Sequence, residues 1–155
     1  MTQFILHSDW LFESRIEPVW EALHDVASWP EWWRYVRRVV ELQPGDASGV
    51  GAVHRFTWSS RLPYTLSFDM RVTELDQPHR MAGVATGELE GTGIWTLNQE
   101  GPLARAHYEW RVRVTKPWMQ LAAPLARPIF AWNHGQVMQA GGAGLARRLG
   151  VRRVG

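Results

Sequence analysis

The chain is 155 residues long, with 45% hydrophobic and 21% charged side chains, a net charge of +2 and no cysteine. These values suit one globular domain with a sizeable core, and they exclude wholesale disorder, disulfides, thiolate metal sites and a cysteine nucleophile. The basic pI of about 9.5 comes from an excess of two charges, with Lys116 the only lysine, so no nucleic-acid partner is expected.

Residues 3–13 (QFILHSDWLFE) mix apolar and polar side chains at strand-like spacing. Asp9, Glu13, Arg15 and Glu17 break any apolar signal-peptide core. In "SRIEPVWEALHDV" the period changes to helical: Pro18 suits a first turn, Glu17 and Glu21 sit near its positive end, and Val19, Leu23 and Val26 share a stripe. Pro30 then disfavours helix at Trp29 and opens a second short helix over "PEWW". Three of the ten tryptophans, Trp29, Trp32 and Trp33, fall within these five positions. Adjacent helical residues diverge by about 100°, so Trp32 and Trp33 are expected to point apart. Two of the three then anchor the core, and one, Trp33, reaches a ligand space or its rim.

From residue 35 the pattern is β. "GAVHRFTW" (51–58) puts His54, Phe56 and Trp58 on one face, and 62–75 puts Tyr64, Phe68 and Met70 on one face with Ser67, Asp69 and Arg71 on the other. Strict period two of this kind marks a half-buried antiparallel strand. "RMAGVATG", "GTGIWTLNQE" and "ARAHYEWRVRVT" supply further strands, the last with Tyr108 and Trp110 on its apolar face. After Thr115 the period is helical to about residue 149. Phe130, His134, Val137, Gly141, Leu145 and Leu149 form one stripe. Pro117, Pro124 and Pro128 predict a broken or kinked opening segment and a continuous helix from about Pro128. Gly141, Gly142 and Gly144 inside that helix cost about 1 kcal/mol each, which predicts close approach to the sheet there and any cavity nearer Phe130–Met138. The run 128–146 is uncharged but too polar for a membrane span, and a cytoplasmic protein is expected. Arg147, Arg148, Arg152 and Arg153 read as a helix end followed by a solvated basic tail, residues 151–155.

The order strand, two short helices, strands, long helix, with "SWPEWW", "RVTELDQPHRM" and "EGTGIWTL", resembles the START/Bet v 1-like (SRPBCC) superfamily, and within it the polyketide cyclase/dehydrase group. The stretch 116–149 resembles the terminal helix of bacterial members. The resemblance covers nearly the whole chain, 1–150. It implies an α+β helix-grip fold, with a curved seven-stranded antiparallel sheet wrapped around a long C-terminal helix and an apolar cavity between them. Members bind lipids, polyketides, sterols, plant hormones or quinones, and some cyclise or dehydrate polyketides. They share no universal catalytic motif, so the fold does not supply the chemistry.

Fourteen side chains are candidates for the cavity wall: Trp33, His54, Phe56, Trp58, Tyr64, Phe68, Trp95, Tyr108, Trp110, Phe130, Asn133, His134, Val137 and Met138. The aromatic ones either line a void or fill a solid core. His134 and His54 either serve as a general acid/base or hydrogen-bond within the core. Asn133, Tyr64 and Tyr108 could orient a ligand carbonyl. Asp69 and Glu109 fall on polar faces and are expected to pair across strands with Arg55, Arg71, Arg111 and Arg113 on the same side. The six histidines lack metal-ligand spacing and "GELEGTG" lacks the Lys–Ser/Thr of a phosphate loop, so no metal or cofactor is expected. The leading expectation is binding of a small hydrophobic ligand (a polyketide, lipid or quinone-like ring) by a monomer or homodimer. The alternatives are a polyketide cyclase/aromatase or dehydratase using His134, and a protein-interaction module in which exposed tryptophans and the proline-broken segment 116–128 dock on a partner, which would show a solid core and a broad exposed apolar patch.

Overall fold

The computed structural model describes residues 3–155. Strand β1 (Gln3–Glu13) leads into helix α1 (Ile16–His24), a single 3₁₀ turn (Val26–Ser28) and helix α2 (Trp29–Trp32). Six strands follow: β2 (Val36–Gln43), β3 (Val53–Trp58), β4 (Leu66–Asp76), β5 (Arg80–Gly87), β6 (Leu89–Glu100) and β7 (Leu103–Val114). Helix α3 (Pro117–Leu149) ends the fold. All neighbouring strands are antiparallel, in the order β1-β7-β6-β5-β4-β3-β2. Short turns build the meander from β2 to β7, and β7 then pairs with β1, which the two short helices separate from β2. This is the helix-grip α+β architecture.

Period two in the strands divides the sheet cleanly. Phe56, Phe68, Trp95, Trp110 and Val112 are buried on the face toward α3. The other face carries ion pairs: Arg55–Asp69 at 2.8 Å, Arg113–Glu90 at 2.7 Å and Arg111–Glu109 at 3.1 Å. Each is solvent-screened and contributes little. Arg111 and Glu109 lie on one strand rather than opposite one another, so not every arginine on this face pairs across strands.

The structure departs from the sequence expectation in four places. First, α3 is unbroken from Pro117; Pro124 and Pro128 lie within it, exposed. Burial of Met119 and Ala123 on the inner side holds the helix through both prolines, outweighing their intrinsic cost of about 3 kcal/mol each. Second, β4 starts at Leu66, and Tyr64 sits in a turn, its N–H donating to the Leu62 carbonyl (2.9 Å). Third, Trp32 and Trp33 do not diverge. The helix stops at Trp32, Trp33 takes an extended backbone (φ −103°, ψ 104°), and the two rings stack at 5.5 Å. Fourth, residues 151–155 are not a free tail. They return along the open edge of β1, with Glu13 N–H donating to Arg152 O, Val154 N–H to Leu11 O and Leu11 N–H to Gly155 O, which shields an edge strand.

The glycines of α3 permit a close approach, but chiefly to tryptophan rather than to the sheet at large. A Cβ on Gly141 would fall 2.7 Å from Trp33 Nε1, and one on Gly142 would fall 3.0 Å from Trp10 Cδ1 and 2.8 Å from the Arg153 guanidinium. A Cβ on Gly144 would collide with the backbone carbonyl of Trp32. In the gap so left, Trp33 Nε1–H donates to Val137 O (2.8 Å) and Trp10 Nε1–H donates to Met138 O (3.0 Å). Those are the carbonyls that the helix pairs with the N–H groups of Gly141 and Gly142. Two indoles therefore bolt the C-terminal half of α3 to β1 and α2.

Candidate functional site

Beyond that clamp, α3 stands away from the sheet and encloses a cavity of about 570 Å³. This lies within the range of small-molecule sites, which are mostly apolar with a few placed polar groups. Its walls come from the concave face of the sheet, β1 and β3 to β7, from the α2 segment, and from Met119, Phe130, Asn133, His134, Val137 and Met138 of α3.

All fourteen side chains singled out in the sequence lie in this wall. Trp33 supplies it while also clamping the helix. Trp29 lines it as well, so two tryptophans of the cluster face the cavity against an expectation of one; Trp32 does not. Sequence reading also missed Phe4, Leu6 and Met119. Alternation in the first strand held the signal for Phe4 and Leu6. Met119 was hidden because prolines predict a break in its segment.

The aromatic side chains are organised. Trp10, Trp95, Tyr108, Trp110, Phe68, Phe56, Trp58 and Trp33 form a closed circuit of ring contacts, with successive centroids between 4.4 Å (Trp95–Tyr108) and 6.4 Å (Phe56–Trp58). Edge and offset contacts of this kind add stability beyond area burial. The rings support one another laterally, so the concave face is rigid without being filled. Tyr64 joins from the turn, its ring 5.6 Å from Trp118 at the start of α3.

The polar groups are few. The Trp58 Nε1–H donor and the Asn133 Oδ1 acceptor are buried and have no hydrogen-bond partner. A buried polar atom without a partner is costly, so each such atom calls for an explanation. Tyr108 keeps its hydroxyl here because position 93 is glycine; a Cβ there would collide with that oxygen. Burial pushes the Tyr108 and Tyr64 phenols above their ordinary range, so both remain O–H groups. Burial likewise lowers His134 to about 4. His54 is also lowered by burial, opposed by the Glu41 carboxylate 3.9 Å away. The deep wall is thus neutral near pH 7, and His134 is an uncharged imidazole that can accept or donate a hydrogen bond. Among the described residues no cluster of three or more metal-ligating side chains occurs, and no helix is long and apolar enough to cross a membrane.

Among solved structures, the chain is similar to TTHA0849 from Thermus thermophilus (13% identity, TM-score 0.76, covering 94% of this chain and 99% of that one). It is also similar to the Zhui aromatase/cyclase from a Streptomyces species (14%, TM-score 0.70, 96% of each chain) and to a START superfamily protein from Mycobacterium smegmatis (13%, TM-score 0.64, 87% and 97%). At these identities the likeness concerns the fold alone. No curated protein matches the sequence. The model of one family, described as polyketide cyclase / dehydrase and lipid transport, matches residues 14–150, and with that match over nearly the whole helix-grip domain the chain belongs to this family.

Proposed function

We propose that the protein binds a neutral, ring-bearing hydrophobic ligand in the cavity beneath α3, and holds it rather than transforming it. The carrying observation is the pair of partnerless buried atoms, Trp58 Nε1–H and Asn133 Oδ1, in an otherwise aromatic wall. A ligand offering one acceptor and one donor on an apolar frame satisfies both, while its rings pack on Trp95, Tyr108 and Trp110. A hydroxylated polyketide or a quinol-like ring has this chemistry. A charged ligand does not suit the deep part of the site: the charged lining side chains, Asp25, Glu41 and Arg71, are exposed, the aromatic wall offers no compensating charge, and burying an unpaired ion is expensive. Affinity comes from apolar burial at about 25 cal/mol per Å², less the cost of association.

Family membership supports either hydrophobic-ligand binding or a polyketide cyclase role. The state of His134 favours binding. A general base works best with a pKa near the working pH, and at about 4 this imidazole is a weak base. The test is native mass spectrometry of freshly purified protein, with extraction and identification of whatever is bound. A copurifying neutral aromatic or polyketide-like molecule, retained by His134→Gln and lost by Trp58→Phe, is the expected result. Turnover of a poly-β-keto analogue that disappears in His134→Gln would overturn the binding-only reading in favour of catalysis.

A further inference from the structure

The face of the sheet turned away from α3 carries a side-chain cluster that takes no part in the cavity. In β1, Gln3, Ile5, His7 and Asp9 are exposed while Phe4 and Trp10 are buried, so the odd-numbered residues of this stretch point outward. Strand β1 pairs with β7 in a register that sets Asp9 opposite His107 and His7 opposite Glu109. His7 and His107 are thereby diagonal neighbours on one face, a spacing that long side chains bridge. No sequence motif announces the pair, because its members stand 100 residues apart.

Hydrogen bonds link the cluster in series. His107 Nδ1 lies 3.0 Å from Asp9 Oδ1, and His107 Nε2 lies 3.2 Å from His7 Nδ1. A carboxylate only accepts, and a neutral imidazole has one donor and one acceptor. Asp9 therefore fixes the His107 proton on Nδ1 and leaves a lone pair on Nε2, aimed at His7. Asp9 is itself held by Arg105, 3.3 Å away, which also pairs with Glu100. A carboxylate behind one imidazole, whose Nε2 then faces a second ring nitrogen, is the outer-shell arrangement that orients histidine ligands of metals. Two nitrogens bound to one ion at about 2.1 Å, at angles of about 90–109°, lie about 3.0–3.4 Å apart. The pair stands at 3.2 Å. In the hydrogen bond the two nitrogens point at each other. A turn of the exposed His7 ring, with its proton moved to Nε2, brings both lone pairs onto one ion.

We propose that His7 and His107 together chelate a divalent transition-metal ion on the outer face of the sheet, with Asp9 as the positioning residue behind His107. Imidazole nitrogen suits zinc, copper or nickel, whereas magnesium and calcium take oxygen ligands. Around the pair, the Arg105 and Arg111 guanidiniums are outnumbered by the carboxylates they bond, Asp9, Glu100 and Glu109, so the surroundings favour a cation. The ion staples β1 to β7 and leaves its remaining positions to water. The site lies on the face opposite the cavity and works whether or not the cavity holds a ligand.

The test is isothermal titration calorimetry of the untagged full chain with zinc chloride, repeated with magnesium chloride. One zinc per chain is expected to bind, and no magnesium. His7→Gln and His107→Gln should each weaken zinc binding by more than roughly tenfold, and Asp9→Asn by roughly tenfold, the usual effect of losing an outer-shell carboxylate. None of the three side chains is buried, so the circular dichroism and metal-free melting temperature of each variant should match the wild type. Zinc should raise the melting temperature of the wild type and leave both histidine variants unmoved. Absence of zinc binding by the wild type overturns the proposal, as does undiminished affinity in either histidine variant. Undiminished affinity in Asp9→Asn overturns the role given to Asp9.

Discussion

Replacing His134 with glutamine should flatten the acid limb of the stability curve. In the folded protein burial lowers the imidazole from 6.5 to about 4. In the unfolded chain it titrates near its ordinary value. Above pH 6.5 neither state binds the proton and His134 contributes no pH dependence. Between pH 6.5 and pH 4 the unfolded state binds it and the folded state does not. The unfolded state then carries more protons, so stability rises with pH across that window and is lost on acidification. Below pH 4 both states are protonated and the slope vanishes. The loss accumulates at about 1.4 kcal/mol per pH unit, and over this window reaches on the order of 3 kcal/mol, a large share of the stability of a domain of this size. The assay is urea unfolding followed by far-ultraviolet circular dichroism at several pH values, for wild type and His134→Gln. Carboxylates and the other histidines titrate alike in both proteins and cancel in the difference. The wild type should lose about 3 kcal/mol more than the variant between neutral pH and pH 4. Parallel curves, or an NMR titration placing the folded imidazole near 6.5, would show that His134 is not held in an apolar wall, and the cavity reading would go with it.

The α3 glycines make a second comparison with opposite signs. Gly135 has nothing within 4 Å of an added Cβ, so Gly135→Ala should stabilise by up to about 1 kcal/mol through helix propensity. Gly141→Ala, which drives a methyl into the Trp33 indole and strains its bond to Val137 O, should destabilise by about 1–3 kcal/mol; thermal melts read both, at about 2–4 °C per kcal/mol. Trp58→Phe removes a buried donor that lacks a partner, so the ligand-free protein should change by less than about 1 kcal/mol, while equilibrium dialysis of an extracted ligand should show weakened retention. Arg55→Ala breaks an exposed bidentate pair with Asp69; chemical denaturation should register no more than about 1 kcal/mol.

Period two made the concave face readable. Once the strands were assigned, His54, Phe56, Trp58, Phe68, Trp95, Tyr108 and Trp110 followed without further information, because alternation leaves only two faces and one is polar. The stripe on α3 was equally legible, since Phe130, His134 and Val137 repeat at helical steps. Three things were not legible. Proline preference is a local signal, whereas the continuity of α3 is decided by burial of Met119 and Ala123 many residues away from anything they touch in sequence. The stacking of Trp32 on Trp33 depends on where a four-residue helix ends, a boundary that one residue moves. The route of 151–155 along β1 depends on an open strand edge that exists only once β7 has paired with the other side of β1.

The tryptophan cluster has consequences for both halves of α3. From Val137 to Ala146 the helix is fixed: two indole N–H groups reach its carbonyls, Gly144 sits against the Trp32 backbone, and Leu145 is fully buried. From Pro117 to His134 it bridges the cavity, with support from Met119, Ala123 and Phe130. The grip is therefore anchored at one end of the cavity, in aromatic contacts around Trp10, Trp29 and Trp33, the last two of which also line the hollow. Cavity substitutions that preserve the ring circuit should then change what is bound more than whether the chain folds, whereas a single methyl on Gly141 should do the reverse. The concentration of indole in "SWPEWW" follows from that division of labour: a roof that spans a hollow must be anchored firmly at one end, and a tryptophan supplies area, a rigid ring and one hydrogen-bond donor in a single side chain.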